Sequence, residues 1–251
     1  MKKLIGAYVL FSSTMLFGQQ PIPKGTILPV ELKSSLDSRS AKPGQVIKGR
    51  IAQDVPLAGT RIHEGSKVVG HVVEVKKASE NGGEGQIALR FDTLVAAKKR
   101  IAMTTNLRAL ASPMAVWDAQ LPLTGPDRGT SENAWNTVLV GQDEVSYRGG
   151  GPVAKGLKVV GEPTPGGGVL VYASAAENMK CGGERFGNDG LQALWVFSSD
   201  ACELYGFPPE LKLLHAGRSN PVGQFTLSAD RGDVVLKSGS GILLRVIELN
   251  P

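Results

Sequence analysis

Gln86-Ile87-Ala88-Leu89-Arg90-Phe91-Asp92-Thr93-Leu94 is the stretch whose reading decides the fold. Ile87, Leu89 and Phe91 alternate with Ala88, Arg90 and Asp92, the period-two pattern of a strand with one buried and one wetted face. Just upstream, Lys67 to Val75 is rich in valine, which suits a pleated, half-buried surface. Glu80 to Gly85 between them is a Gly-rich loop. Working outward, Thr26 to Lys33, Val46 to Val55, Leu57 to Ile62 and Ile101 to Leu110 read as further strands. Ser34 to Ser40 reads as a polar connection. Lys42-Pro43-Gly44-Gln45 is a turn, because Pro fixes the first central φ and Gly accepts a positive one.

Composition agrees with that reading. The 251 residues include 32 Gly and 15 Pro, which punctuate many short strands, and the 41% hydrophobic share is enough for a core. Few windows repeat apolar residues at helical spacing. The expectation is an all-β fold with a barrel-like unit over 21–110.

Beyond it, 111–168 reads as a Gly/Pro-rich insertion or linker. It holds Trp117, Trp135, the runs Gly149-Gly150-Gly151 and Gly166-Gly167-Gly168, and one strand candidate at Val138-Leu139-Val140. A second β-rich region, 169–251, follows, with strands expected at Val169 to Ala173, Ala193 to Phe197, Leu211 to His215, Gln224 to Leu227, Asp233 to Leu236 and Ile242 to Ile247. The last is a nearly continuous apolar run, as expected of a strand covered on both faces, and it is a candidate to join the first unit.

A short pattern recurs. Ile22-Pro23-Lys24-Gly25-Thr26, Ile62-His63-Glu64-Gly65-Ser66 and Leu236-Lys237-Ser238-Gly239-Ser240 each place an apolar residue, two polar or turn residues, Gly, then Ser or Thr before a strand. The physical reading is a tight turn in which Gly25, Gly65 and Gly239 take a left-handed conformation.

The N-terminus has the form of a secretory signal over residues 1–18: basic Lys2 and Lys3, an apolar stretch from Leu4 to Phe17, small Gly18, then polar Gln19-Gln20 and Pro21. The apolar stretch is shorter than the roughly 20 residues a membrane-spanning helix needs, so no transmembrane segment is expected in the mature chain. Cys181 and Cys202 are the only cysteines. A paired count in an exported chain favours a disulfide between them. The formal charge is +5, with Lys2 and Lys3 inside the signal. That excess is too mild to argue for a nucleic-acid partner, and Lys98-Lys99-Arg100 reads as a solvated turn.

The segments Ile22 to Thr26 with Pro29-Val30, then Gly65-Ser66-Lys67-Val68-Val69-Gly70-His71-Val72, then Ile87 to Leu94, resemble a family of exported bacterial β proteins of uncharacterised function. More distantly, their order is similar to the β-barrel of TrbI-like conjugation and type IV secretion proteins. The resemblance covers 21–110, together with 242–247, and implies a barrel built on turn and strand motifs. It carries over no catalytic residue. TrbI-like proteins also have an N-terminal membrane anchor, a Pro-rich stalk and an apolar helical hairpin that enters the outer membrane. Ser112 to Gly168 is not apolar enough for that hairpin, so the resemblance implies the barrel without pore formation.

No arrangement of residues points to catalysis. His63, His71 and His215 are the only histidines, and a His63/His71 metal pair with Glu64 matches no common ligand spacing. There is no Gly-x-Ser-x-Gly elbow and no phosphate loop. Cys202 with His215 would make a thiol nucleophile only if Cys202 were unpaired. Arg231-Gly232-Asp233 reproduces an adhesion tripeptide but is also ordinary turn chemistry. Trp195 reads as core, whereas Trp117 and Trp135 are the candidates for an exposed binding surface. The sequence therefore leads to an exported, non-catalytic envelope protein, structural or binding, with no cofactor or metal expected and an envelope protein or cell-wall polymer as partner. An exported glycan hydrolase with unidentified Asp/Glu catalysts, and an oligomeric scaffold subunit of a secretion-like assembly, are the alternatives.

Overall fold

The computed structural model describes residues 22–57, 60–80, 82–120, 135–140, 143–148, 153–161, 195–197 and 201–247. In chain order the elements are β1 (Ile27–Leu32), β2 (Leu36–Asp37), β3 (Val46–Ile51), β4 (Val55–Leu57), β5 (Thr60–Ile62), β6 (Lys67–Lys76), β7 (Gly85–Ala96), β8 (Lys99–Ala102), β9 (Thr104–Ala111), α1 (Pro113–Gln120), β10 (Trp135–Val140), β11 (Asp143–Arg148), β12 (Val153–Lys155), β13 (Lys158–Gly161), β14 (Glu203–Tyr205), β15 (Leu211–His215), β16 (Phe225–Ala229), β17 (Val235–Leu236) and β18 (Gly241–Ile247). Among the described residues the fold is all-β apart from α1.

Ten strands share one sheet, ordered β14-β9-β18-β1-β3-β6-β7-β16-β15, with β8 paired to β7. It interleaves strands from both ends of the chain: β18 lies antiparallel between β1 and β9. Alternation sets the inner face. In β3, Ile47, Gly49 and Ile51 are buried while Val46, Lys48 and Arg50 are exposed. Val68 and Val72 of β6 and Ile87, Leu89, Phe91 and Leu94 of β7 join the same core. The Phe91 ring stacks on Phe225 at 6.1 Å and 7°. It also covers Gly70, where a Cβ would stand 2.4 Å from the Arg90 carbonyl oxygen and 2.8 Å from Phe91 Cδ1. Only glycine fits under that ring.

Register shifts at Val69/Gly70 and Val72/Glu74 bend the β6–β7 pair, and the sheet curls around its core. The β8–β9 connection returns beneath β7. There Met103 N donates to the Asp92 carbonyl (2.9 Å) and Thr105 Oγ1 to the Phe91 carbonyl (2.8 Å), while Leu107 N donates to the Ala216 carbonyl (2.8 Å). These isolated bonds take the place of a continuous ladder, so the barrel stays open.

Turns hold the strands in register. Gly25, Gly44, Gly65 and Gly239 have φ between 80° and 88°. In each turn the residue after the glycine bonds back three positions, to Pro23, Lys42, His63 or Lys237. Each glycine N–H then donates to a carbonyl on a neighbouring strand (Val246, Val72, Ile51, Leu32). That same neighbour's N–H donates to the carbonyl of the residue after the glycine. Two residues face one, with glycine first and left-handed, which is a G1-type bulge. The four are reciprocal. The turn before β1 grips the end of β18, and the turn before β18 grips the end of β1; the turn before β6 grips the end of β3, and the turn before β3 grips β6 at Val72 in mid-strand.

A second apolar layer covers the outer side of β9 and β18. Ala109, Ala111 and Leu243 are fully buried there, beneath Ala115, Val116 and Ala119 of α1, Trp195, Val196 and Phe197. Phe197 meets Trp195 and Tyr205 edge-on, each at 6.4 Å. Gly241 admits this layer: a Cβ there would lie 3.0–3.2 Å from Val116, Trp195 and Phe197. Two polar ties secure it. Buried Arg108 donates through Nε to the Ala201 carbonyl (3.0 Å), and the Cys202 N–H donates to the Tyr205 hydroxyl (2.9 Å).

Several local expectations change. Leu57 to Ile62 is not one strand: Leu57 ends β4, and Thr60 to Ile62 form β5, antiparallel to it. Trp195 and Val196 form a turn with Trp195 at φ 59°, not a strand, because the segment caps the sheet instead of extending it. Ser34 to Ser40 contains β2, paired with β17. The stretch 111–168, read as an irregular insertion, contains α1 and the antiparallel meander β10-β11-β12-β13. Short strands in Gly-rich sequence carry too little periodicity to register. The signal at 1–18, Val169 to Ala173 and Cys181 lie outside the described residues.

Candidate binding surfaces

Ser112 and Pro113 start α1 as N-cap and first helical residue: Ala115 N donates to Ser112 Oγ at 3.2 Å. With Ala115, Val116 and Ala119 turned to the sheet, Met114 and Trp117 point the other way, 65% and 58% exposed. Three apart, they share a helix face. Two large apolar side chains side by side in water form a contact surface in miniature. Trp135 begins β10, opposite Arg148 on β11.

The second surface is the outer face of β3, β6, β7 and β8. One row of paired positions runs Glu31, Arg50, Lys67, Val95, Arg100 across five strands. The next runs Lys48, Val69, Thr93, Ala102, and a third Val46, His71, Arg90. Lys48, Arg50, Lys67, Arg90 and Arg100 are all exposed. Glu31 receives Arg50 through Nε (2.9 Å) and Nη2 (2.7 Å) and also pairs with Lys33. Burial pushes the Glu31 carboxyl up, but the hydrogen bonds from Lys33 and Arg50 outweigh it and hold it below the usual carboxylate range. His71 Nδ1 lies 3.0 Å from Asp92 Oδ2, and Thr93 Oγ1 donates to Asp92 Oδ1 at 2.8 Å.

Sequence reading missed this field. The only run of three cations in chain order is Lys98-Lys99-Arg100, whereas the field is assembled from alternate positions on separate strands. The alternation Val46-Ile47-Lys48-Gly49-Arg50 was the available signal.

Other polar groups serve the fold. Glu84 accepts from Ser228 Oγ (2.5 Å), Gln86 Nε2 (2.8 Å) and Lys76 Nζ (3.2 Å). The Ser228 bond leads in lowering its pKa to about 2. The adjoining depression, lined by Glu74, Lys76, Gln86, Ala88 and Thr226, is about 20 Å³, room for a water. Asp233 of the Arg-Gly-Asp tripeptide turns inward, accepting from Ser38 Oγ (2.7 Å) and Ala78 N (3.1 Å), so its carboxylate anchors a loop rather than being displayed for adhesion. His63 is exposed beside Asp54, apart from the His71–Asp92 pair. His215 is bonded to Gln224 and Ser219. Burial raises the Glu203 carboxyl, opposed by the Arg218 charge. Cys202 is buried, and no free cysteine occurs among the described residues. Those residues contain no group of three candidate metal ligands and no helix long and apolar enough to cross a membrane.

No protein-family model and no curated protein matches the chain.

Proposed function

We propose that this chain is an exported protein of the bacterial cell envelope that acts by binding rather than by catalysis. The Met114–Trp117 face of α1 is its contact surface. The carrying observation is that pair, both more than half exposed on a helix whose opposite face is locked to the sheet. A rigid base under an apolar pair lowers the ordering cost of a contact. The basic-then-apolar N-terminus supports export, with cleavage near Gly18, and the paired Cys181 and Cys202 support a disulfide in an oxidising compartment. The partner is an envelope protein or a cell-wall polymer.

The test is cosedimentation of the mature protein with purified envelope fractions. Binding that falls at least tenfold in a Met114→Ser, Trp117→Ser variant of unchanged melting temperature supports the reading. Unchanged binding in that variant removes α1 as the contact. Hydrolytic turnover of a glycan that disappears on changing a single Asp or Glu overturns the non-catalytic assignment.

A further inference from the structure

A register shift between Leu213 and His215 interrupts the β15–β16 pairing and leaves Leu214 without a partner position. Such a bulge re-aims the side chain beside it. His215 meets the loop that follows β15, where two contacts fix its ring. Nδ1 lies 2.8 Å from the Gln224 carbonyl oxygen, and Nε2 lies 3.1 Å from Ser219 Oγ. Gly217 N is also 3.1 Å from Nδ1, but a donor there needs a lone pair on that nitrogen. The shorter contact is to an oxygen that can only accept, so the proton is assigned to Nδ1. Nε2 is then the acceptor, and the Ser219 hydroxyl donates to it. A hydroxyl on an imidazole whose far nitrogen is held by a third group is the arrangement that activates a serine nucleophile. The Gln224 carbonyl is the positioning group, fixing tautomer and ring as a carboxylate does in a catalytic triad.

The loop is tied at its base. The Gly223 N–H donates to the Gly217 carbonyl (2.9 Å), and Leu107 N of β9 donates to the Ala216 carbonyl (2.8 Å). Gly217 packs so close to Gln224 that a Cβ would stand 3.1 Å from its nitrogen and its oxygen. Ser219 itself is exposed, so a small molecule reaches its hydroxyl. Among the described residues the Ser219 and Asn220 N–H groups make no hydrogen bond, and the N–H after a nucleophile is a donor that an oxyanion uses.

We propose that Ser219 accepts the acyl group of a small activated carboxylic ester, with His215 as its base. Oγ bonds to the ester carbonyl carbon while Nε2 takes the hydroxyl proton. The carbon–oxygen bond to the leaving group then breaks, and the imidazolium returns the proton to that oxygen. The products are an acyl-serine and an alcohol, with no other reactant. The site is separate from the α1 surface, so each can fail alone.

The experiment treats the full chain with p-nitrophenyl acetate, follows p-nitrophenolate release and locates the acetyl group by peptide mass spectrometry. The expected result is a single-equivalent burst with the acetyl group on Ser219. It should vanish in Ser219→Ala and slow by about a hundredfold in His215→Gln, the scale of general-base help. Urea-unfolded wild type should label Ser219 as slowly as His215→Gln does, which keeps the test independent of how that variant folds. Acetyl groups on lysines alone, equal labelling of Ser219 in native and unfolded chain, or undiminished labelling in a His215→Gln variant of unchanged melting temperature overturns the proposal. Release that continues past one equivalent through the same serine supports the pair and overturns the non-catalytic assignment instead.

Discussion

Two stretches of the same sheet share one core and differ on their outer side. Over β9 and β18 the outward positions are Ala109, Ala111, Gly241 and Leu243, covered by Trp195, Phe197, Tyr205 and α1. Over β3, β6 and β7 they are Lys48, Arg50, Lys67 and Arg90, left in water. The contrast explains two kinds of sequence. Strands covered twice read as runs, with seven of eight β9 residues buried, whereas strands covered once alternate. One outer side is packed under a second layer, the other is exposed.

The widest break in this comparison comes from the aromatic layer. Phe197→Ala should lower stability by about 3–5 kcal/mol, as for other fully buried rings, read from the denaturant midpoint. Lys67→Gln should stay within about 0.5 kcal/mol. Similar losses for both would dissolve the distinction.

A finer cut removes one oxygen. Tyr205→Phe keeps the ring against Phe197 but leaves the Cys202 N–H without its acceptor, which should cost about 1–3 kcal/mol. An unchanged midpoint would show that the Tyr205–Cys202 tie adds nothing to the packing of the layer. The turns test backbone strain without packing. A Cβ on Gly65 meets nothing within 4 Å, so Gly65→Ala should cost only the left-handed penalty, about 1–2 kcal/mol. A larger loss would mean that the β3–β6 grip fails altogether.

The smallest effect is a pH dependence. The Glu84 carboxyl titrates at about 2 in the fold against a reference of 4.5. A depressed folded pKa contributes stability above the unfolded value and loses it as pH falls toward the folded one. Glu84→Gln should therefore melt below wild type at pH 7, and the gap should close between pH 4.5 and 2. A gap that widens on acidification would contradict the assignment.

Much of the fold was legible because it is written locally. Alternation at Ile87 to Phe91 gave β7 its inner face, and the run Ile242 to Ile247 marked a strand with cover on both sides. The recurring glycines at 25, 65 and 239 marked turns of one geometry. What could not be read depends on pairing at a distance. The neighbours of β18 and the cap formed by Trp195 to Phe197 follow from three-dimensional closure, and nothing in Ala193 to Phe197 separates a cap from a strand. The surfaces divided in the same way. Trp117 stood out by residue type, whereas Lys48, Lys67 and Arg90 became a group only once β3, β6 and β7 were set side by side.

The reciprocal turns between β1 and β18 carry a consequence for the order of events during synthesis. Ser238, which hydrogen-bonds to the Leu32 carbonyl, lies 206 positions further along the chain. A nascent polypeptide emerging from its N-terminus therefore presents β1 with one flank unsatisfied until β18, more than 200 residues further on, has been added. Such a flank is a template for unwanted pairing, and topologies this non-local assemble slowly. The sheet thus stays one strand short until β18 has been made, a longer exposure than in a protein knit from neighbouring hairpins.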